Sequence, residues 1–124
     1  MVSFDGFRIE DGSPIYLQIL LFVKRGIVAG CIRNGDELPS RRVLSSFLGV
    51  NPNTVQKAYR LLEEECLIQS RAGAKSYMVL DKAKVDRIRR ELLEYHARSA
   101  INAMRQMGIS KAEALSVIDM FWES

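Results

Sequence analysis

Apolar positions along this chain recur mostly with the period of a helix and shorten to strand-like runs in one region. Ile15, Ile19, Phe22, Val23 and Ile27 share one stripe. This predicts a helix opened by Ser13 as N-cap and Pro14 at the first helical position, running to about Ala29 and closed by Gly30. Leu17, Leu20 and Leu21 make the remaining surface unusually apolar, but Gln18, Lys24 and Arg25 interrupt it. Burial against the C-terminal helices or a partner subunit is therefore expected, rather than a membrane-facing surface. Before this helix, Met1 to Gly12 reads as a polar arm anchored in part by Phe4, Phe7 and Ile9.

A second helix is expected from Ser40, with Val43, Leu44, Phe47 and Leu48 on its apolar face and Gly49 at its end. Glycine takes the left-handed conformation at little cost, so the chain can turn within Gly49 and Val50. Asn51 then caps a third helix and Pro52 occupies its first position. From there Val55, Ala58, Tyr59 and Leu62 form one stripe, while Asn53, Gln56, Lys57 and Arg60 take the opposite side. Two helices joined by so short a turn form a helix-turn-helix.

Between the first two helices, Asn34 and Gly35 predict a turn and Asp36 to Leu38 an extended segment. Leu67 to Ser70 and Ser76 to Val79 read as two paired strands around the loop from Arg71 to Lys75. A long helix follows from Lys82 to Met107, with Val85, Ile88, Leu92 and Tyr95 on one stripe and Leu93, Ala97, Ala100, Met104 and Met107 drifting to the next. Gly108 stops it. Ser110 and Glu113 form a capping box that opens a last helix carrying Ala114, Leu115, Val117, Ile118, Phe121 and Trp122.

Charge adds a direction. Between Lys24 and Arg60 seven cations face two carboxylates, a local +5 in a chain of net +3. Glu63, Glu64 and Glu65 follow at once, where they would repel phosphate and meet the negative end of the helix dipole. The Asn51 end of the third helix is thus the end suited to a polyanion. The same charges would also serve as a solvated face.

With 124 residues, 48% of them hydrophobic, one domain with a small appendage is expected. No apolar run reaches the roughly 20 residues of a membrane span, and no signal-peptide pattern opens the chain, so a cytoplasmic protein without membrane partners is expected. Cys31 and Cys66 form no metal or dithiol spacing and read as reduced thiols, Cys66 as a small, partly buried one with redox sensing as its alternative. No metal site, cofactor or catalytic residue is expected. His96 is the only histidine and lies on a helix between Tyr95 and Ala97, with no nucleophile and base spaced for a triad.

Pro14 to Val79, through PIYLQI, GDELPSRR, LGVNPNTVQKAYRLLEEE and SYMV, resembles the winged helix-turn-helix of GntR-family bacterial transcription regulators. The length and short helical tail are similar to the YtrA-type subgroup, whose tail is a dimerisation element. The resemblance implies a mainly α fold with a small antiparallel β-hairpin. A winged helix-turn-helix would occupy 8–80, and a two-helix C-terminal dimerisation element 81–124. It also implies a short strand at Asp36 to Leu38 that joins the hairpin.

The implied partner is a double-stranded DNA operator. Its contacts would come from Ser40, Arg41, Arg42, Asn51, Asn53, Thr54, Gln56, Lys57 and Arg60, and in the wing from Arg71, Gly73 and Lys75. Ser40, Arg42 and Thr54 suit phosphates; Asn53, Gln56 and Lys57 are candidates for base edges; Arg60 is electrostatic. Local capping is the alternative role of Ser40 and Thr54. This chain departs from the family at Cys66, where a helix-ending Gly is usual, and at Lys75, where a second wing Gly is usual. Arg71 and Lys75 would then hold phosphate in place of a close backbone approach.

The tail of about 43 residues is short for a pocket of roughly 300 to 1,000 Å³. Its apolar surface instead implies a homodimer through Leu92, Leu93, Tyr95, Ala100, Met104, Leu115, Ile118, Phe121 and Trp122. Capping of the monomer core is the alternative. Function is expected to be sequence-specific transcription regulation, as a repressor on an inverted repeat, with a protein-interaction module lacking DNA binding as the alternative. Nothing in the chain specifies an effector.

Overall fold

In the computed structural model, which describes residues 1–71 and 75–124, the elements run α1 (Ile15–Ala29), β1 (Glu37–Leu38), α2 (Arg41–Leu48), α3 (Pro52–Glu64), β2 (Ile68–Ser70), β3 (Ser76–Met78), α4 (Lys82–Gln106) and α5 (Lys111–Phe121). The chain divides into two units, Met1–Arg89 and Arg90–Ser124.

In the first unit the expected stripes meet. Ile19, Val23 and Ile27 of α1, Val55, Ala58, Tyr59 and Leu62 of α3, and Leu44 of α2 are all at most 2% exposed. Leu38, Leu67, Met78 and Ile88 complete this core. Each buried Val, Leu, Ile or Met among them contributes about 1.5 to 3 kcal/mol by leaving water, so a handful of them decides the packing of α1 and α2 on α3.

The strands form an antiparallel sheet in the order β1-β3-β2, with Glu37 opposite Tyr77 and Tyr77 opposite Gln69. Alternation sets the register: Ile68, Ser76, Met78 and Leu38 turn inward, while Tyr77 is half-buried and Gln69 exposed. Asp36 O accepts from Met78 N–H at 2.8 Å, and Gly35 N–H donates to Met78 O at 2.9 Å, so the Asn34–Gly35 turn is bound to the hairpin.

The arm is more firmly attached than its polar sequence suggests. Val2 N–H donates to Glu37 O at 2.7 Å, and Val2 and Phe4 are buried. Phe4 stacks on Phe22 at 5.2 Å while Phe7 meets Phe22 edge-on at 5.3 Å. The Gln18 amide exchanges two 2.8 Å bonds with the Glu10 backbone and donates to Ser13 O at 2.9 Å. Ile9, expected as an anchor, is exposed; Val2 takes that role.

Several local expectations shift. Pro14 is itself the N-cap of α1, with extended backbone, so the helix begins one residue later than expected. Ser40 likewise caps α2 rather than starting it. Val43 and Phe47 are 59% and 61% exposed, because Leu44 and the buried Ser45 face α3 and leave only part of the expected stripe inside. Gly26 has a packing role that periodicity does not reveal. A Cβ there would lie 2.6 Å from Ile32 Cδ1, and Gly26 O accepts from the amides of Cys31 and Ile32, so the chain doubles back tightly on α1.

The glutamates that close α3 are compensated. Glu65 pairs with Lys24 at 2.9 Å, Glu63 accepts from Ser70 Oγ at 2.9 Å, and Lys84 Nζ donates to Cys66 O at 2.7 Å and Val79 O at 3.1 Å. Cations at a helix C-terminus complement its dipole. Lys24 is thereby withdrawn from the basic surface. Cys66 adopts φ 61°, the one left-handed non-glycine among the described residues. Both cysteines are exposed, so Cys66 is not the partly buried thiol expected.

In the second unit, Gly108 turns the chain at φ 74° and Ile109 N–H bonds back to Met104 O at 3.0 Å. Ser110 Oγ accepts from Glu113 N–H at 3.2 Å, forming the expected cap of α5. Ile101, Met104, Ile109, Ala114, Leu115 and Ile118 line a crevice of about 470 Å³ within this hairpin. Of the nine apolar residues expected at an interface, Leu92 and Met104 are half-buried, and Leu93, Tyr95, Ala100, Leu115, Ile118, Phe121 and Trp122 are exposed.

Candidate nucleic-acid interface

The turn between α2 and α3 is built as the residue types require. Gly49 takes φ 69° and its N–H returns to Ser45 O, ending α2. Asn51 Oδ1 accepts from Asn53 N–H at 2.8 Å, capping α3 behind Pro52. Ser40 Oγ accepts from Val43 N–H at 3.1 Å, so its side chain caps α2. Thr54, the other residue for which capping was an alternative, is half-buried, and only its backbone N–H bonds to the cap residue, at Asn51 O.

A buried hydrogen bond ties α3 to the segment that leads into α2. Tyr59 OH, in the middle of α3, donates to Pro39 O at 2.7 Å. The run Pro39–Arg42 is thereby held beside α3. Burial pushes the Tyr59 phenol well above the usual tyrosine range, and the charge of Arg41 opposes this in part. The Arg41 guanidinium lies 5.8 Å from the Tyr59 ring centroid, and its Nε is buried with no hydrogen-bond partner. Arg41 therefore leans on the core, whereas Arg42 is exposed and carries no ion pair among the described residues.

On α3, Asn53, Gln56, Lys57 and Arg60 are exposed opposite the buried stripe. Arg60 lies 3.9 Å from Glu64, a solvent-exposed pair one turn apart that contributes little to stability. Lys57 Nζ sits 4.0 Å from the centroid of the Tyr16 ring on α1. In the wing, Arg71 N–H donates to Lys75 O at 2.9 Å, and the Arg71 guanidinium lies 4.9 Å over Tyr77. Both basic residues are exposed. Gly73, expected at this site, lies outside the described residues.

Sequence reasoning missed three tyrosines here. Tyr16, Tyr59 and Tyr77 each set a cation or a backbone carbonyl of the surface, through contacts between elements that no local pattern encodes. Tyr59 was identified only as a core residue. The described residues hold no group of three or more His, Cys, Asp or Glu side chains suited to a metal, and no helix among them is long and apolar enough to cross a membrane.

Known proteins share this arrangement. Residues 15–77 match the family described as bacterial regulatory proteins, gntR family. The HTH-type transcriptional regulator YhcF of Bacillus subtilis is 31% identical over 94% of this chain and 96% of its own length. The HTH-type transcriptional repressor YtrA of the same organism is 41% identical over 56% of this chain and 53% of its own length. Among solved structures, a GntR family transcriptional regulator from Listeria monocytogenes superposes with a TM-score of 0.81 at 32% identity, covering 90% of this chain and 98% of that one. The chain thus belongs to the GntR family of helix-turn-helix transcription regulators, with the mainly helical fold and small antiparallel sheet of its winged-helix relatives.

Proposed function

We propose that this protein represses transcription in the cytoplasm by binding an inverted-repeat DNA operator as a homodimer. Residues 8–80 supply the DNA-binding part and 81–124 the dimerisation part. One observation carries the reading: α3 buries Val55, Ala58, Tyr59 and Leu62 and leaves Asn53, Gln56, Lys57 and Arg60 outward, beside the exposed Arg42. Gln56 and Asn53 suit the adenine edge, while Arg42, Arg71 and Lys75 suit phosphates. Ser40 and Asn51 act as caps that shape the surface. The similarity to YtrA, a named repressor, supports the direction of regulation.

The second copy is supported by the tail. Tyr95, Phe121 and Trp122 are 61%, 62% and 77% exposed, a degree of aromatic exposure at odds with a lone helical hairpin. Sedimentation should therefore report twice the 14.1 kDa chain mass.

A gel shift on mixed duplex DNA across a salt series tests the DNA reading. Binding near physiological salt is expected, with log K falling against log salt by about 0.9 per phosphate neutralised. Absence of DNA binding at that salt would reject it in favour of a protein-interaction module.

A further inference from the structure

We infer that Tyr16 is a positioning residue for DNA recognition: its ring draws Lys57 off the base edges, so that Lys57 neutralises a backbone phosphate and leaves base choice to Asn53 and Gln56. The inference rests on the DNA-binding reading above.

The geometry begins with the helix wheel of α3. At about 100° per residue, the direction opposite the buried stripe passes within roughly 10° of Asn53, and Lys57 lies about 30° to one side of it. Thr54 and Leu61 lie further round on that same side and are half-buried, as expected where a neighbouring helix covers α3. Tyr16, in the first turn of α1, stands on that side, with its ring centroid 4.0 Å from Lys57 Nζ. The ammonium is thus held toward the flank of the recognition helix. A DNA strand passes along that half-buried side when the helix enters a groove, while base edges lie under the central line and toward the open side, where the exposed Gln56 stands about 70° round.

The attraction suits this purpose. An ammonium over a tyrosine face at a solvated site is held weakly, yet enough to favour one arrangement of a flexible four-carbon chain. It is also weak enough for a phosphate to share the cation. Lys57 has no carboxylate partner among the described residues, so its charge is not neutralised within the fold. A lysine free of the ring could reach guanine O6 and N7, the contact its position on α3 otherwise suggests.

The test uses the full chain on a duplex first selected by the wild type, with affinity measured by fluorescence anisotropy on every single base-pair variant across a salt series. Lys57→Ala is expected to weaken all variants alike, reduce the salt slope by about one and leave the base preference unchanged. Tyr16→Phe keeps the ring and should match the wild type. Tyr16→Leu should change preference at one or two base pairs, and Tyr16→Leu combined with Lys57→Ala should abolish that change. A shifted base preference in Lys57→Ala alone, a surface change that leaves the fold intact, overturns the inference even if Tyr16→Leu misfolds. Failure of the wild type to select any duplex overturns the DNA-binding reading itself, and this inference with it.

Discussion

Replacing Tyr59 with Phe removes one oxygen from the centre of the helix-turn-helix and keeps the ring that fills the core. The lost bond spans 2.7 Å to Pro39 O, in a buried setting, between residues 20 apart in sequence. The Pro39 carbonyl is then left without that donor, at a cost of about 1 to 3 kcal/mol. For a cooperative unit the size of Met1–Arg89, an unfolding entropy of about 2.1 cal/mol/K per residue sums to roughly 0.19 kcal/mol/K. A loss of about 1 to 3 kcal/mol therefore lowers Tm by roughly 5 to 16 °C.

The phenol also predicts a pH signature. Its pKa in the fold is raised above the unfolded value near 10, chiefly by burial, so its contribution is complete below pH ~10. It is lost as pH climbs further, because the unfolded chain then releases a proton that the folded chain retains. Calorimetry of both proteins at fixed concentration, at pH 7 and pH 11, should show the lower Tm for Tyr59→Phe at pH 7 and a smaller gap at pH 11. An unchanged Tm at pH 7, or a gap that widens in alkali, would refute the reasoning.

Cys66→Gly should stabilise the fold. A left-handed φ of 61° costs a side-chain-bearing residue about 1 to 2 kcal/mol, the added backbone entropy of Gly takes back about 0.5 to 1, and the exposed thiol forfeits little packing. A urea midpoint that falls at constant m-value would contradict this. Arg42→Ala should weaken binding to the selected site and to random DNA by similar factors and lower the salt slope by about one; altered base preference with an intact slope would remove Arg42 from the phosphate set. Gln56→Ala should cost about 1 to 3 kcal/mol on the selected site by relaxing preference at one or two base pairs, measured by competition, and equal loss on every sequence would rule out base reading.

Helix α3 was legible because every signal agreed: Asn51 caps, Pro52 starts, and the stripe from Val55 to Leu62 is buried as its period required. The cap at Ser110 was legible for the same reason, being local chemistry, whereas the joining of Glu37–Leu38 to the hairpin was implied by the family resemblance. What escaped depended on neighbours distant in sequence. Val43 and Phe47 have helical spacing, yet a helix of eight residues lying on one partner buries only the side that meets it. Lys24 looked like part of a basic surface until Glu65 was brought within 2.9 Å. The place of Lys57 depends on a tyrosine 41 positions earlier, and no periodicity relates the two. In the tail, the stripes of α4 and α5 were readable as apolar, but one chain buries little of them.

Selection of duplexes from a random pool by the full-length protein tests the central claim most directly. Two copies of an outward α3, doubled through the tail, should enrich an inverted repeat whose half-site centres lie about 10 bp, or a multiple of that, apart. Enrichment of a lone, unrepeated half-site, or of no sequence, would contradict it.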